Sequence, residues 1–340
     1  MTLHSTIKKI TVIGNGGWGT ALAILLSKKG NEITLWGHNK TYTDHLREKR
    51  ENTKYLKGIT LPPDITVTSE ITPKLMDAQF IISATPTPYL RSVLIKFKEV
   101  FVDKTPVISI TKGIENETLM RPSEIVRDVL GDQPVTLLLG PSHAEEVAHG
   151  LPTTIVASSN DLNLAQTVQE LFTTDRFRVY TNTDVIGVEL GAALKNVIAI
   201  AAGICDGLKL GDTSKAALIT RGLAEISRLG TAMGANKITF SGLSGLGDLI
   251  TTCISPYGRN RWVGEQIGKG KSLQEILNNM EQIAEGVWTT KSVIRLSKKY
   301  NIEMPITEEI YSVLFSGKKP LEALNNLMMR TPKSEVEELY

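Results

Sequence analysis

A single charged residue interrupts the apolar run from Leu190 to Cys205: Lys195, with Asn196 beside it. Burying an ammonium group costs several kcal/mol unless it is paired or neutralised. A lysine in the middle of such a run, away from ends where its stem could reach water, is therefore a candidate for proton transfer. Desolvation lowers its pKa toward the range in which it both gives and takes a proton. The plain alternative is a lysine on a narrow polar face of the same helix. Downstream, Ser244-Gly245-Leu246-Gly247-Asp248 places a carboxylate just after a glycine-rich turn. Pro256-Tyr257-Gly258-Arg259-Asn260-Arg261 gathers two guanidinium groups and an amide at a helix start. Arginine forks with backbone donors suit a phosphate monoester. For Arg259 and Arg261 the alternative is an exposed first turn, although the positive end of a helix disfavours cations that hold no anion.

A second constellation lies near the N-terminus. The apolar run Ile10–Ile13 leads into Gly14-Asn15-Gly16-Gly17-Trp18-Gly19 and then the helix-forming Thr20–Leu26. A G-x-G-x-x-G turn between strand and helix holds a pyrophosphate on backbone N–H groups and the helix N-terminus. Gly14 permits the turn, Gly16 lets the main chain approach the phosphates, and Gly19 lets helix and strand pack closely. The next strand, Glu32 to Trp36, is followed by Gly37-His38-Asn39-Lys40. Strict NAD sites place an acid there, about 20 residues beyond the loop, to accept the ribose hydroxyls. None is present, which weakens a methyltransferase reading equally. His38 and Lys40 form an edge that tolerates a 2′-phosphate, or else a solvated loop.

The elements that must position these groups follow from periodicity. Short apolar runs alternating with helical stretches predict parallel strands with crossover helices. The strands fall at Lys9–Ile13, Glu32–Trp36, Phe80–Ala84, Val107–Thr111, Val135–Leu139, Thr154–Ala157 and Phe177–Tyr180; helices fall at Gly17–Lys29, Tyr89–Phe101, Arg121–Leu130 and Leu162–Phe172. This is an α/β fold with a doubly wound, Rossmann-type sheet, which holds ligands at the C-terminal ends of its strands. Three strand ends carry suitable groups: Thr85-Pro86-Thr87-Pro88, Thr111-Lys112-Gly113 and Gly140-Pro141-Ser142-His143-Ala144. After Thr183 the strand signal stops. Helices are expected at Asp184–Leu208, Thr213–Met233, Gly245–Cys253, Arg259–Ile267, Gly286–Lys299 and Ile306–Phe315, with Thr331–Tyr340 a fraying charged tail. The expected domains are 1–183, binding a dinucleotide, and 184–340, all-helical and carrying substrate and catalysis.

Composition narrows the function classes. With 41% hydrophobic and 22% charged residues, and 38 basic against 36 acidic side chains, the chain has no global field for nucleic acid or membrane. Two cysteines, Cys205 and Cys253, exclude a disulfide framework or thiolate-rich metal site, and five scattered histidines argue against zinc. No metal is expected, and both thiols read as inert and buried. Val185–Cys205 is long and apolar enough to span a membrane, but Glu189, Lys195 and three glycines favour a helix buried among others. A cytoplasmic location is the default.

Taken together, the chain resembles the bacterial type of NAD(P)-dependent glycerol-3-phosphate dehydrogenase over nearly its whole length. The resemblance is carried by Gly14–Ala23, Leu35-Trp36-Gly37-His38, Thr111-Lys112-Gly113, Gly140-Pro141-Ser142, Glu189–Asn196, Gly245-Leu246-Gly247-Asp248, Arg259-Asn260 and Glu285-Gly286. It implies reversible hydride transfer between NADP or NAD and C2 of dihydroxyacetone phosphate, giving sn-glycerol 3-phosphate for phospholipid synthesis. It also implies that Lys195 exchanges the proton at the C2 oxygen, with Asp248, a substrate-site residue, orienting it or the substrate and Lys112 touching both ligands. Gly140, Ser142, Gly258, Arg259 and Asn260 would hold the substrate, mostly at its phosphate. Gly17, Trp18, His38, Lys112, Ala144, Arg259, Ile283 and Glu285 would contact the cofactor, and a homodimer through the helical domains is implied as well.

The family usually has Ala and Ser where Asn15 and Gly17 stand, a hydroxyl residue at Gly258, and an aromatic at His143. A related hydroxyacid dehydrogenase or ketoacid reductase also joins such a sheet to helices with a catalytic lysine, and a carboxylate substrate would suit an arginine too. A dinucleotide-sensing regulator would need a basic helix-turn-helix or interaction module, which this near-neutral chain lacks.

Overall fold

The computed structural model describes residues 7–280, 283–332 and 334–335, so most of the expected fraying tail lies outside the described residues. The chain forms two compact units, residues 1–111 with 122–183, and residues 112–121 with 184–340.

Unit 1 is built on an eight-stranded sheet: β1 (Lys9–Ile13), β2 (Glu32–Trp36), β3 (Thr66–Thr68), β4 (Phe80–Ser83), β5 (Val107–Ser109), β6 (Val135–Leu139), β7 (Thr153–Ser158) and β8 (Phe177–Asn182). Their order is β3-β2-β1-β4-β5-β6-β7-β8, the doubly wound arrangement. The central strands are rich in Ile, Val and Leu because both faces are covered. Ile10 pairs with Ile33 and Val12 with Leu35 in one direction, and Val12 with Ile82 in the other. One pairing departs from the parallel expectation: β7 runs antiparallel to β6 and parallel to β8. An apolar run records burial, which is the same for either strand direction. The helices are α1 (Gly17–Lys28), α2 (Lys40–Lys49), α3 (Pro73–Met76), α4 (Thr87–Phe97), α5 (Pro122–Leu130), α6 (Ala144–Ala148) and α7 (Leu162–Phe172). The expected helix Tyr89–Phe101 thus starts two residues early and stops four residues short. Pro88 sits in its first turn, where a missing N–H costs nothing.

Unit 2 contains α8 (Val185–Gly207), α9 (Gly211–Ala232), α10 (Asp248–Ile254), α11 (Arg259–Gly268), α12 (Leu273–Asn278), α13 (Glu285–Tyr300), α14 (Pro305–Phe315) and α15 (Pro320–Met328). Asp184 caps α8 by accepting from Gly187 N at 2.9 Å. This helix is the one long and apolar enough to cross a membrane among the described residues, and almost all of it is buried among α9, α10, α11, α13 and α14. Gly203 of α8 and Gly264 of α11 let the two backbones meet, since a Cβ on either would fall within 2 Å of the facing helix's carbonyl oxygen. Glu225 of α9 is a buried carboxylate at the N-terminus of α14, accepting from Ile306 N at 2.6 Å and Thr307 N at 3.2 Å. Burial pushes its pKa up to about 7 against the pull of those donors.

The segment Lys112–Arg121 falls inside the range expected for the first domain yet belongs to unit 2. Arg121 forms an ion pair with buried Glu189 of α8. Ser292 of α13 donates to Ile114 O at 3.1 Å, and Lys112 reaches Asp248.

Candidate active site

Lys195 sits midway along α8, 3% exposed. One turn earlier, Gly191 has no side chain because Ser244 O occupies the space: a Cβ there would lie 2.6 Å from it. Ser244 belongs to a π turn, Leu243–Gly247, closed by Gly247 N donating to Gly242 O at 3.1 Å. Such turns are rare and frequent at functional sites. Here the extra residue delivers Asp248, as the first residue of α10, beside Lys195. The expected helix Gly245–Cys253 is accordingly a π turn followed by α10.

The carboxylate of Asp248 is 1% exposed and joins two ammonium groups. Its Oδ1 accepts from Lys195 Nζ and its Oδ2 from Lys112 Nζ at 2.9 Å. The Thr252 hydroxyl donates to Asp248 O at 2.7 Å, so its oxygen is free to accept from Lys195 Nζ at 2.6 Å. An ammonium has three donors. Two are committed to Asp248 and Thr252, which leaves one for a substrate oxygen. Desolvation, helped by the like charge of Lys112 and opposed by Asp248, lowers the Lys195 pKa to about 7. Thr252 was not singled out in the sequence; its i+4 spacing from Asp248 on a helix was the available signal.

A second cluster in unit 2 lies along the same stretch of α8. Asn260 Oδ1 accepts from Gly286 N at 2.9 Å, orienting its amide with the NH₂ turned elsewhere. A Cβ on Gly286 would lie 2.6 Å from Asn196 O and 2.8 Å from Asn260 Oδ1, which places this cluster next to the residue that follows Lys195. Exposed Arg259 opens α11 after Gly258 and donates to Ile283 O at 3.1 Å. Glu285 begins α13. Arg261 does not join this group: its Nε donates to Asp206 of α8 at 2.7 Å, and Lys215 pairs with the same carboxylate. The two arginines, separated in sequence only by Asn260, thus divide between an accessible cation and a structural ion pair. Burial raises the pKa of Cys253 to about 12, as expected of an inert thiol.

In unit 1 the glycine loop has the shape of a phosphate cradle. Gly14 adopts φ +124° against Ala84, and a Cβ on Gly19 would strike Gly14 O. Above Gly16, by contrast, the nearest 4 Å is open, at the N-terminus of α1. This is the room a pyrophosphate needs to reach backbone N–H groups, so the loop fits a dinucleotide. Gly17 is explained by Tyr55, whose carbonyl oxygen lies 2.6 Å from where a Cβ would be. The hydroxyl residue usual in the family has no space here. Asn52 ties the loop down, donating to Asn15 O at 2.9 Å and Thr20 Oγ1 at 2.7 Å. Neither Tyr55 nor Asn52 was visible as a loop partner in the sequence. Trp18 packs its ring on the core of this unit. Gly140, at φ +146°, turns the chain after β6, and Ser142 Oγ donates back to Gly140 O at 3.1 Å. Ala144 opens α6, and His38 is exposed just beyond β2.

Comparison with known proteins covers both units. Residues 9–165 match the family model for the N-terminus of NAD-dependent glycerol-3-phosphate dehydrogenase, and residues 184–325 the model for its C-terminus. A protein of Bacillus pumilus called glycerol-3-phosphate dehydrogenase [NAD(P)+] is 50% identical over 336 residues, 98% of this chain and 97% of its own length. One of the same description from Chlorobium phaeobacteroides is 48% identical over 96% of this chain and 99% of its own. The crystal structure of glycerol-3-phosphate dehydrogenase from Coxiella burnetii superposes with TM-score 0.91 at 36% identity, covering 95% of this chain and 99% of that one.

Proposed function

This chain belongs to the NAD-dependent glycerol-3-phosphate dehydrogenase family, and on that footing we propose that it interconverts dihydroxyacetone phosphate and sn-glycerol 3-phosphate, a bound NAD(P) giving or taking the hydride at C2. The observation that carries the reading is the Lys195–Asp248–Lys112 array, assembled from α8, α10 and the 112–121 segment, with Asn260 meeting Gly286 where it packs on Asn196, the residue after Lys195. It pairs a poised proton donor with an anion-binding group.

In reduction, Lys195 directs its third N–H at the C2 oxygen and gives up that proton as negative charge gathers there. The remaining positive field of Lys112 stabilises the developing alkoxide. Asp248 and Thr252 hold the amine in place throughout, so no reorganisation accompanies the transfer. In oxidation, neutral Lys195 takes the hydroxyl proton. At the other end of the substrate, the Arg259 guanidinium and Asn260 NH₂ hold the phosphate, with the backbones of Gly140 and Gly258 and the Ser142 hydroxyl. On the cofactor side, Gly14, Gly16, Gly17 and Gly19 receive the pyrophosphate, with Trp18, His38, Ala144, Lys112, Arg259, Ile283 and Glu285 as further contacts. Supply of phospholipid precursor, a cytoplasmic location and a homodimer joined through helical units belong to the same reading, supported by the family resemblance.

Steady-state assay of dihydroxyacetone phosphate against ketopantoate and 2-oxoacids, each with NADH and NADPH, tests the reaction. Turnover with the phosphorylated ketone is expected; oxidation of neither cofactor with it overturns the proposal. Lys195→Ala should retain cofactor binding, read by fluorescence titration, while turnover falls by several orders of magnitude. Normal turnover would return Lys195 to a structural role.

A further inference from the structure

Beyond β2 the chain carries an unusual pairing of basic groups. Lys96, the penultimate residue of α4, places Nζ 3.2 Å from Nδ1 of His38, both side chains being exposed. The other polar groups at this edge are already committed. Asn39 Oδ1 caps α2 by accepting from Tyr42 N at 2.9 Å. Lys40, the second cation suggested by the sequence, pairs at 2.8 Å with Asp44, which also takes Arg47. Lys96 has no carboxylate partner among the described residues. Its position is built in: the ring of neighbouring Phe97 packs edge-on against Trp36, the last residue of β2, at 4.9 Å between centroids. The same Trp36 offers its carbonyl to Gly14 N at 2.9 Å, so the glycine loop and this cationic edge share one strand end.

We propose that Lys96 is a cofactor-selecting residue, forming with His38 the receptor for a phosphate on the 2′ carbon of the adenosine ribose, so that the chain prefers NADPH to NADH. The inference rests on the NAD(P) reading above. An ammonium that gives one hydrogen to an imidazole nitrogen keeps two for a phosphate ester. Those bonds are charge-assisted to a phosphate and ordinary to a ribose hydroxyl, and selection is the difference between them. An acid in place of His38 or Lys96 would reverse the preference by repelling the phosphate.

The test uses the full chain, with Lys96→Gln and Lys96→Glu as variants and thermal melting as the check on folding. Calorimetry should show the wild type binding adenosine 2′,5′-bisphosphate at least about tenfold more tightly than adenosine 5′-monophosphate, an advantage that K96Q removes and K96E inverts. In parallel, the ratio of kcat/KM for NADPH over NADH should fall about tenfold or more in K96Q. Equal affinity of the wild type for the two nucleotides, or a K96Q ratio unchanged in either measurement, overturns the proposal. Loss of both nucleotides from the wild type overturns the cofactor reading with it. Selective binding of the bisphosphate that depends on Lys96 sustains the proposal even if dihydroxyacetone phosphate is not the substrate.

Discussion

Replacing Asp248 by Asn removes one negative charge from between two ammonium groups at almost constant volume. Two unit charges about 4 Å apart interact by about 4 kcal/mol at an effective dielectric of about 20. At about 1.36 kcal/mol per pKa unit, loss of the carboxylate should lower Lys195 by two to three units, roughly, below its value near 7. The protonated fraction at pH 7 then falls from about half to one per cent or less. The acid that remains is stronger and transfers its proton more readily, which offsets part of the loss and leaves reduction roughly 10- to 100-fold slower. Initial rates of dihydroxyacetone phosphate reduction from about pH 3.5 to about pH 9 measure both quantities. In the native protein the limb where the rate falls with rising pH should centre near 7; in Asp248→Asn it should move two to three units, roughly, to the acid side. A limb that stays where it was, or a rate at pH 7 within about twofold of the native one, in a variant with unchanged circular dichroism, would refute the electrostatic account.

Arg259→Ala should raise KM for dihydroxyacetone phosphate by roughly 10- to 150-fold, the worth of a hydrogen bond to a charged group, and a phosphate-free analogue such as dihydroxyacetone should lose the discrimination between variant and native protein. Gly191→Ala forces a Cβ against Ser244 O and displaces the π turn, so a stability loss of about 1–3 kcal/mol by denaturant titration should accompany a drop in kcat; unchanged values in both would dissociate the turn from Asp248. Glu225, raised above its unfolded value of 4.5 to about 7, binds more protons in the folded state, so stability should decline as pH rises through that window. Glu225→Gln should flatten that part of the melting-temperature profile, and an equally steep profile in the variant would assign the slope to other groups.

How much of this was legible beforehand depended on whether a feature is local. The strand–loop–helix from Lys9 to Lys28 is written in adjacent residues and appeared as read. Lys195 could be picked out because a lone charge in an apolar run is itself a local anomaly. Its partners could not be assigned by spacing: Asp248 stands 53 positions away and reaches it through a π turn whose i→i+5 bond no 3.6-residue period reports. Arg259 and Arg261 look alike in sequence, and only the approach of Asp206 from α8 separates them. The three-residue β3 and the polar α2, which buries only Thr43 and Leu46, carry too few apolar positions to show a period. Lys96 escaped notice for a different reason: its meaning comes from His38, 58 positions earlier, on the neighbouring strand's exit.

The return of residues 112–121 to the helical unit bears on the order in which the protein can be completed. Synthesis proceeds from the N-terminus and domains generally fold as they emerge. Yet Arg121 is made 68 residues before Glu189, and Asn116 is made 176 residues before Ser292, to which it bonds. The sheet must therefore assemble around a loop whose own partners do not yet exist, and that loop waits for most of the chain. A polypeptide starting at residue 184 would contain every expected helix of the second half and still lack both the guanidinium that neutralises Glu189 and the second ammonium on Asp248. The helical half is a unit of the folded molecule, and no single stretch of the gene encodes it.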